Sequence, residues 1–81
     1  MSPQTKAALN EIKAALAAGQ ATLCPYLFSH IFGRGATSAA FRVAKTQGLI
    51  EIAYIGGTGA PNYRAAGIGA AMTEAASASI H

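Results

Sequence analysis

The sequence predicts a mainly α domain with one small β-hairpin, an α+β fold of three helices followed by two strands. The chain has 81 residues, which suffices for one domain. Its first half repeats apolar residues at the spacing of helices, with Gly or Pro at the boundaries. After Gly48 the pattern changes to a β-branched run, a glycine-rich tip and a second short strand. We expect one domain over residues 1–66 and a tail over residues 67–81.

The first helix is predicted over residues 3–18. Ser2 is a good N-cap, and Pro3 fits the first helical position because its missing N–H would be unpaired there. Gly19 suits the left-handed conformation that ends helices. The apolar stripe of this helix consists of Leu9, Ile12 and Leu16.

The second helix is predicted to begin after Thr22, which acts as its cap, with Pro25 in its first turn. Its apolar face repeats every four residues and is widened by aromatic rings. That face consists of Leu23, Leu27 and Ile31 with Tyr26, Phe28 and Phe32. Gly33 is expected to end the helix, and residues 33–35 to form a turn.

The third helix is predicted to start at Thr37 or Ser38, since both are good caps, and to end at Gln47. Its inner stripe consists of Ala40, Phe41 and Ala44. Gly48 follows as the residue that ends the helix. The period of 3.6 residues then places five residues toward solvent or at the border between the exposed and buried faces of the helix: Ser38, Ala39, Arg42, Lys45 and Thr46.

The hairpin is predicted from residues 49–55, which are rich in β-branched and aromatic residues, and from residues 62–65 as the returning strand. Residues 56–61 form the tip, where glycines supply conformational freedom and Pro61 is tolerated at a strand start. The tail is rich in Ala, which favours helix, and in Gly and Ser, which oppose it. Residues 67–81 are therefore predicted to be either a short helix or disordered.

Composition narrows the classes of function. The net charge is +3, and residues 34–64 carry four cations against the single carboxylate of Glu51, which favours an anionic partner. One cysteine excludes an internal disulfide and a four-cysteine zinc site, and indicates a reducing, cytoplasmic compartment. No apolar run approaches the roughly 18 residues of a membrane span, so no membrane association is expected. Three carboxylates in three elements, and no phosphate-binding loop motif, predict a protein that is not an enzyme and uses no cofactor or metal.

The order of helix, short link, helix, turn, helix, strand, glycine-rich tip and strand resembles the winged helix-turn-helix family. The resemblance covers about residues 3–66, and its most specific part is the stretch 38–52, SAAFRVAKTQGLIEI, followed by the tip and Tyr63-Arg64. It implies a recognition helix over about residues 37–47 and a two-stranded wing over about residues 50–65. It also implies binding to double-stranded DNA as a transcriptional regulator, of a size common among bacterial and phage regulators.

Side-chain chemistry assigns roles to these positions. The guanidinium of Arg42 matches the O6 and N7 atoms of guanine, and Lys45 and Thr46 suit phosphate contacts. Arg34 and Arg64 would hold the DNA backbone on either side. The predicted DNA-binding residues are Arg34, Thr37, Ser38, Ala39, Arg42, Lys45, Thr46, Thr58, Asn62 and Arg64.

Three or four neutralised phosphates give weak binding, so two subunits on two half-sites are expected, with the first helix or the Ala-rich tail as the surface of a homodimer. The alternative is a protein-interaction module on the same fold, such as a phage-encoded inhibitor or an assembly subunit. Low charge, together with apolar Val43 and Ile55 near the presumed DNA face, favours that alternative.

Overall fold

The computed structural model describes residues 1–57 and 59–79. Within them the chain forms an α+β domain of four helices and a three-stranded antiparallel sheet, which confirms the predicted class. The order of the elements is α1 (Pro3–Ala17), β1 (Thr22–Leu23), α2 (Pro25–Phe32), α3 (Arg34–Thr46), β2 (Ile50–Ile55), β3 (Pro61–Ala65) and α4 (Ile68–Ser79).

Helix α1 matches its prediction to within one residue. The Ser2 hydroxyl accepts a hydrogen bond from the Thr5 N–H at 3.1 Å, and Pro3 occupies the first turn. Gly19 lies just past the end with a φ of 84°. The stripe of Leu9, Ile12 and Leu16 is buried, so α1 contributes the largest share of the aliphatic core.

The prediction that Thr22 caps α2 is wrong. Thr22 and Leu23 form the short edge strand β1, which pairs with Arg64 and Tyr63 of β3. Helix α2 begins at Pro25 instead, with Cys24 as an N-cap. Two residues are too few to show the alternating pattern of a strand, and only the distant partner β3 makes Thr22 extended.

The predicted turn over residues 33–35 and the start of the third helix at Thr37 or Ser38 are also wrong. Gly33 alone separates the two helices: its N–H donates to Ser29 O at 2.9 Å, and its carbonyl accepts from the Thr37 N–H at 3.1 Å. It has φ 88° and ψ 158°, a conformation that is essentially reserved for glycine. Helix α3 therefore begins at Arg34, one turn earlier than predicted, and Thr37 becomes an interior residue.

The hairpin is confirmed, with β2 and β3 paired antiparallel in the register Ile50↔Ala65, Ile52↔Tyr63 and Ile55↔Pro61. A register shift between Ile52 and Tyr54 interrupts it. The sheet order is β1–β3–β2, so β3 is the central strand. Its Tyr63 is buried against the helices, and neighbouring residues alternate to the other face.

The core lies between α1, α3 and the sheet. It contains Ile12, Leu16, Leu23 and Ile50 as fully buried side chains. The predicted inner stripe of α3 is confirmed, because Ala40, Phe41 and Ala44 are all buried. The apolar face of α2 is divided: Phe28 is buried and Phe32 packs against the core, whereas Leu27 and Ile31 point outward.

The tail forms helix α4, which decides between the two predicted alternatives for residues 68–79; residues 80 and 81 lie outside the described residues. Helix α4 packs closely on the rest of the domain. The Thr73 hydroxyl lies 3.4 Å from Leu16 O of α1. At Gly69 a Cβ atom would overlap the carbonyl oxygen of Leu49, so only glycine permits this approach.

Candidate nucleic-acid interface

Helix α3 carries a stripe of polar and cationic side chains, which we call the α3 stripe and define as Arg34, Ser38, Arg42 and Lys45. All four residues are exposed. Spacings of four, four and three residues place them within an arc of about 80° and along about 16 Å of the helix axis. The stripe therefore holds three of the six cations of the chain on one side of one helix.

The opposite side of α3 fixes the direction of the stripe. Phe41 is buried, and its ring centroid lies 5.1 Å from the rings of both Phe28 and Tyr63. Ala40 and Ala44 are fully buried beside it, where α3 packs on α1. Because these residues occupy the inner face, rotating α3 to hide the stripe would expose the core.

The electrostatic field of the α3 stripe is not cancelled along the helix. No Asp or Glu occurs between Glu11 and Glu51, so α3 and its flanking segments contain no carboxylate side chain. Three like charges on one helix face raise the local positive potential, which attracts an anionic polymer.

Two adjoining grooves border the stripe, with volumes of about 310 and 320 Å³. Pro25 of α2, Ser38 of α3 and Pro61 of β3 line both of them. The first groove is completed by Phe41, Arg42, Lys45 and Tyr63. The second groove is completed by Tyr26, Ser29, Arg34, Thr37 and Ala60. The start of α2 and the tip-proximal end of the hairpin thus form walls on either side of the cations.

Three other predicted residues of α3 lie outside the stripe. Thr37 is only 3% exposed, because the earlier helix start turns it toward the interior. Ala39 is half-buried, and Thr46 is exposed. The Thr46 hydroxyl donates to the carbonyl of Arg42 at 3.0 Å, which leaves its lone pairs but not its proton for a ligand.

The structure does not bring Arg64 and Asn62 together with the stripe. Tyr63 lines the first groove, and the alternation of β3 turns its neighbours Asn62 and Arg64 to the other face of the sheet. There the Arg64 guanidinium contacts the Glu51 carboxylate at 2.7 Å. Its charge is therefore compensated locally, whereas the cations of the α3 stripe form no ion pair with the residues that the structure describes. Thr58 lies outside the described residues.

Sequence reasoning missed an exposed apolar surface on α2. Tyr26, Leu27 and Ile31 are 65%, 63% and 74% exposed, and α2 carries no Lys, Arg, Asp or Glu. We call these three residues the α2 patch. Phe28 and Phe32 have the same spacing of four residues as Leu27 and Ile31, so periodicity alone could not tell which pair faces the core.

Comparisons with protein-family models, with curated protein sequences and with solved structures return no match. In the described parts of the chain, no helix has both the length and the apolar character needed to cross a membrane.

Proposed function

We propose that the protein binds double-stranded DNA as a winged helix-turn-helix domain, with α3 as the recognition helix and β2–β3 as the wing, and that it acts as a transcriptional regulator. The observation that carries this proposal is the α3 stripe, in which Arg34, Arg42 and Lys45 are exposed together on a helix without a carboxylate. The order of three helices followed by a hairpin supports the same class of domain.

Each cation of the stripe has a distinct role in this proposal. Arg42 lies in the middle of the stripe, and its guanidinium reads guanine through O6 and N7 in the major groove. Arg34 lies near one end and Lys45 near the other, where they contact phosphates and set the orientation of the helix. Ser38 is small, so it allows the N-terminal half of α3 to approach the floor of the groove.

The two phosphate contacts of one copy, from Arg34 and Lys45, are too few for tight binding. They give a slope of about −2 for log affinity against log salt concentration. We therefore propose that two copies bind two half-sites. Half-sites one helical turn apart are about 34–36 Å from centre to centre. The longest dimension of the domain is 37 Å, so two copies placed end to end along this axis would match that distance.

We propose the α2 patch as the surface where the two copies meet. A two-fold interface brings the same surface of both copies together, so a charged surface would meet its own charge and be repelled. The α2 patch carries no formal charge and avoids this repulsion in a chain of net charge +3. The surfaces predicted for dimerisation, the first helix and the tail, are partly used within the chain, because α4 packs against α1.

Fluorescence anisotropy with a labelled random-sequence duplex, measured over a salt series, tests the proposal. We expect affinity to fall steeply with salt for the native protein. In a separate selection from randomised duplexes, we expect the native protein to enrich a guanine-containing site and Arg42→Ala to lose this preference. Lys13→Ala, which removes an exposed cation of α1, is the matched control and should bind like the native protein.

Unchanged duplex binding in both Arg42→Ala and Lys45→Ala would contradict the proposal. A duplex affinity that is independent of salt would contradict it as well, since phosphate contacts release counterions.

The second candidate function is a protein-interaction module on the same fold, and the exposed α2 patch is the observation that favours it. The two candidates assign the patch differently: to a second copy, or to another protein. Sedimentation of the purified chain separates them. If the purified chain is a dimer, and Leu27→Asp or Ile31→Asp converts it to a monomer, the result supports binding of DNA by two copies. A monomer that forms a salt-resistant complex with a protein from its native cell supports the module.

A further inference from the structure

The two edges of the sheet differ in length and in chemistry. Strand β1 forms one edge with two residues, whereas β2 forms the other edge with six. An edge strand presents backbone N–H and C=O groups to any strand that can pair with them, and proteins commonly shorten or charge such strands. Strand β2 is not shortened, its one formal charge is Glu51, and no described residue pairs with it on the side away from β3.

The hydrogen bonds at the two ends of β2 show which of its backbone groups face this open edge. At one end, the Gly56 N–H donates to Ala60 O at 2.8 Å. Residues of an antiparallel strand alternate between facing the neighbouring strand and facing away, so the N–H and C=O of the preceding Ile55 point outward. At the other end, Leu49 O accepts from the residue after β3 at 3.0 Å, and the same alternation turns the backbone groups of Ile52 outward.

The side chains along this edge are apolar and largely uncovered. Ile52, Tyr54 and Ile55 are 44%, 55% and 58% exposed. Ile52 is paired with the buried Tyr63, and Ile55 is paired with Pro61, two residues before Tyr63 on β3. Both isoleucines therefore lie on the side of the sheet that carries the helices. A strand added to this edge would cover apolar surface as well as backbone groups.

The charge on β2 is compensated within the chain. The Arg64 guanidinium donates to the Glu51 carboxylate at 2.7 Å, which reduces the repulsion between two copies of this edge. Antiparallel pairing of a strand with its own copy is a two-fold contact, so the same residues meet twice. With Ile52 opposite Ile55 of the second copy, outward backbone groups meet each other and the isoleucines share one face of the sheet.

We propose that the β2 edge is an interaction surface for a second copy of this chain, in which the two β2 strands pair antiparallel and join the two sheets. The contact goes beyond the proposed function, since it needs neither DNA nor the α2 patch. Six residues a side are fewer than the roughly 20–30 of a stable interface, so the contact is weak in dilute solution. It forms at high protein concentration, or between copies that another interaction holds close together.

The test starts from Ile31→Asp, which disrupts the α2 patch, and measures association by sedimentation velocity over a wide range of concentration. We expect this variant to be a monomer when dilute and to form a dimer as its concentration rises. Adding Ile52→Lys should weaken that dimer by at least about tenfold, because two-fold symmetry brings each change into the contact twice. Ile68→Lys is the matched control: it makes the same change at an exposed isoleucine of α4 and should leave the dimer unchanged.

Circular dichroism establishes that each variant is folded. Should Ile52→Lys fail to fold, Ile55→Lys replaces it, because Ile55 is the more exposed of the two and faces the same edge. Isotope-filtered NOEs in a mixture of labelled and unlabelled chains identify the register. We expect contacts between Ile52 of one copy and Ile55 of the other.

Three outcomes would overturn the proposal. The first is an Ile31→Asp chain that stays monomeric at every concentration. The second is a dimer that a folded lysine variant of the β2 edge leaves intact. The third is a monomer whose β2 amides shift only when an extended apolar peptide is added, which would assign the edge to a different protein.

Discussion

The ring of Phe41 on α3 lies 5.1 Å from the ring of Tyr63 on β3, with the two planes inclined by 40°. On its other side, Phe41 meets Phe28 of α2 edge to face at 5.1 Å. One side chain therefore contacts both elements that form the walls of the grooves. This aromatic cluster sets the distance between the α3 stripe and the hairpin, so the geometry of the candidate interface depends on it.

We expect Phe41→Ala to lower the free energy of unfolding by about 3–5 kcal/mol, because it leaves a cavity between α2, α3 and β3. Urea denaturation followed by circular dichroism measures the loss. Ile68→Ala is the control, since Ile68 is exposed at the start of α4 and its removal should change stability by no more than about 0.5 kcal/mol. Equal losses in the two variants would contradict the central position of Phe41.

We expect Lys45→Ala to reduce the slope of log duplex affinity against log salt by about 1, and to weaken binding to all sequences alike. The reason is that an ammonium group neutralises a phosphate without reading a base. Anisotropy titrations at four or more salt concentrations measure the slope. A loss of preference for one base pair, with an unchanged slope, would show that Lys45 contacts a base instead.

The two glycines at the start of α3 should respond to alanine in opposite directions. Gly33→Ala forces a non-glycine residue into φ 88° and ψ 158°, which should cost about 1–3 kcal/mol. Position 35 lies inside the helix, and a Cβ atom there would have open space around it among the described residues. Gly35→Ala should therefore raise the free energy of unfolding by about 0.5–1 kcal/mol. Thermal unfolding of both variants measures the difference. Stabilisation by Gly33→Ala would contradict the junction at this residue.

Gly69→Ala should separate α4 from α1. A methyl group at this position would overlap the Leu49 carbonyl and lie 3.2 Å from Leu16 Cδ1, and overpacking of this kind costs about 1–3 kcal/mol. Amide hydrogen exchange should show faster exchange in α4 with little change in α3. Ala71→Ser, at an exposed position of the same helix, is the control. Unchanged protection of α4 in Gly69→Ala would refute its close packing.

Arg64→Ala should weaken duplex binding less than Lys45→Ala does, because the Arg64 guanidinium is engaged by Glu51 on the far face of the hairpin. Both side chains of this pair are about half exposed, so Glu51→Gln should change the free energy of unfolding by less than about 1 kcal/mol. The same salt series measures the effect on binding. A change in slope as large as that of Lys45→Ala would place the outer face of the hairpin in the DNA interface.

The cations of α3 show which part of the stripe the local sequence pattern predicts and which part it misses. The helical period already places Arg42 and Lys45 away from Phe41, and the structure confirms that Phe41 is buried while both cations are exposed. The same period could not include Arg34, because the two glycines around it indicate a turn. Its place in the stripe follows from the unusual conformation of Gly33, which is the single residue between the end of α2 and the start of α3.

The sequence by itself determined the α+β class, helix α1, the hairpin and the inner stripe of α3, because capping residues and apolar periods act over a few neighbouring residues. Only the tertiary structure decided that Thr22 joins the sheet, that Leu27 and Ile31 stay exposed, and that Thr37 is buried. Each of these depends on contacts with residues distant in the chain. A local pattern restricts which faces of an element are apolar, whereas the packing of the whole domain selects which of those faces is covered.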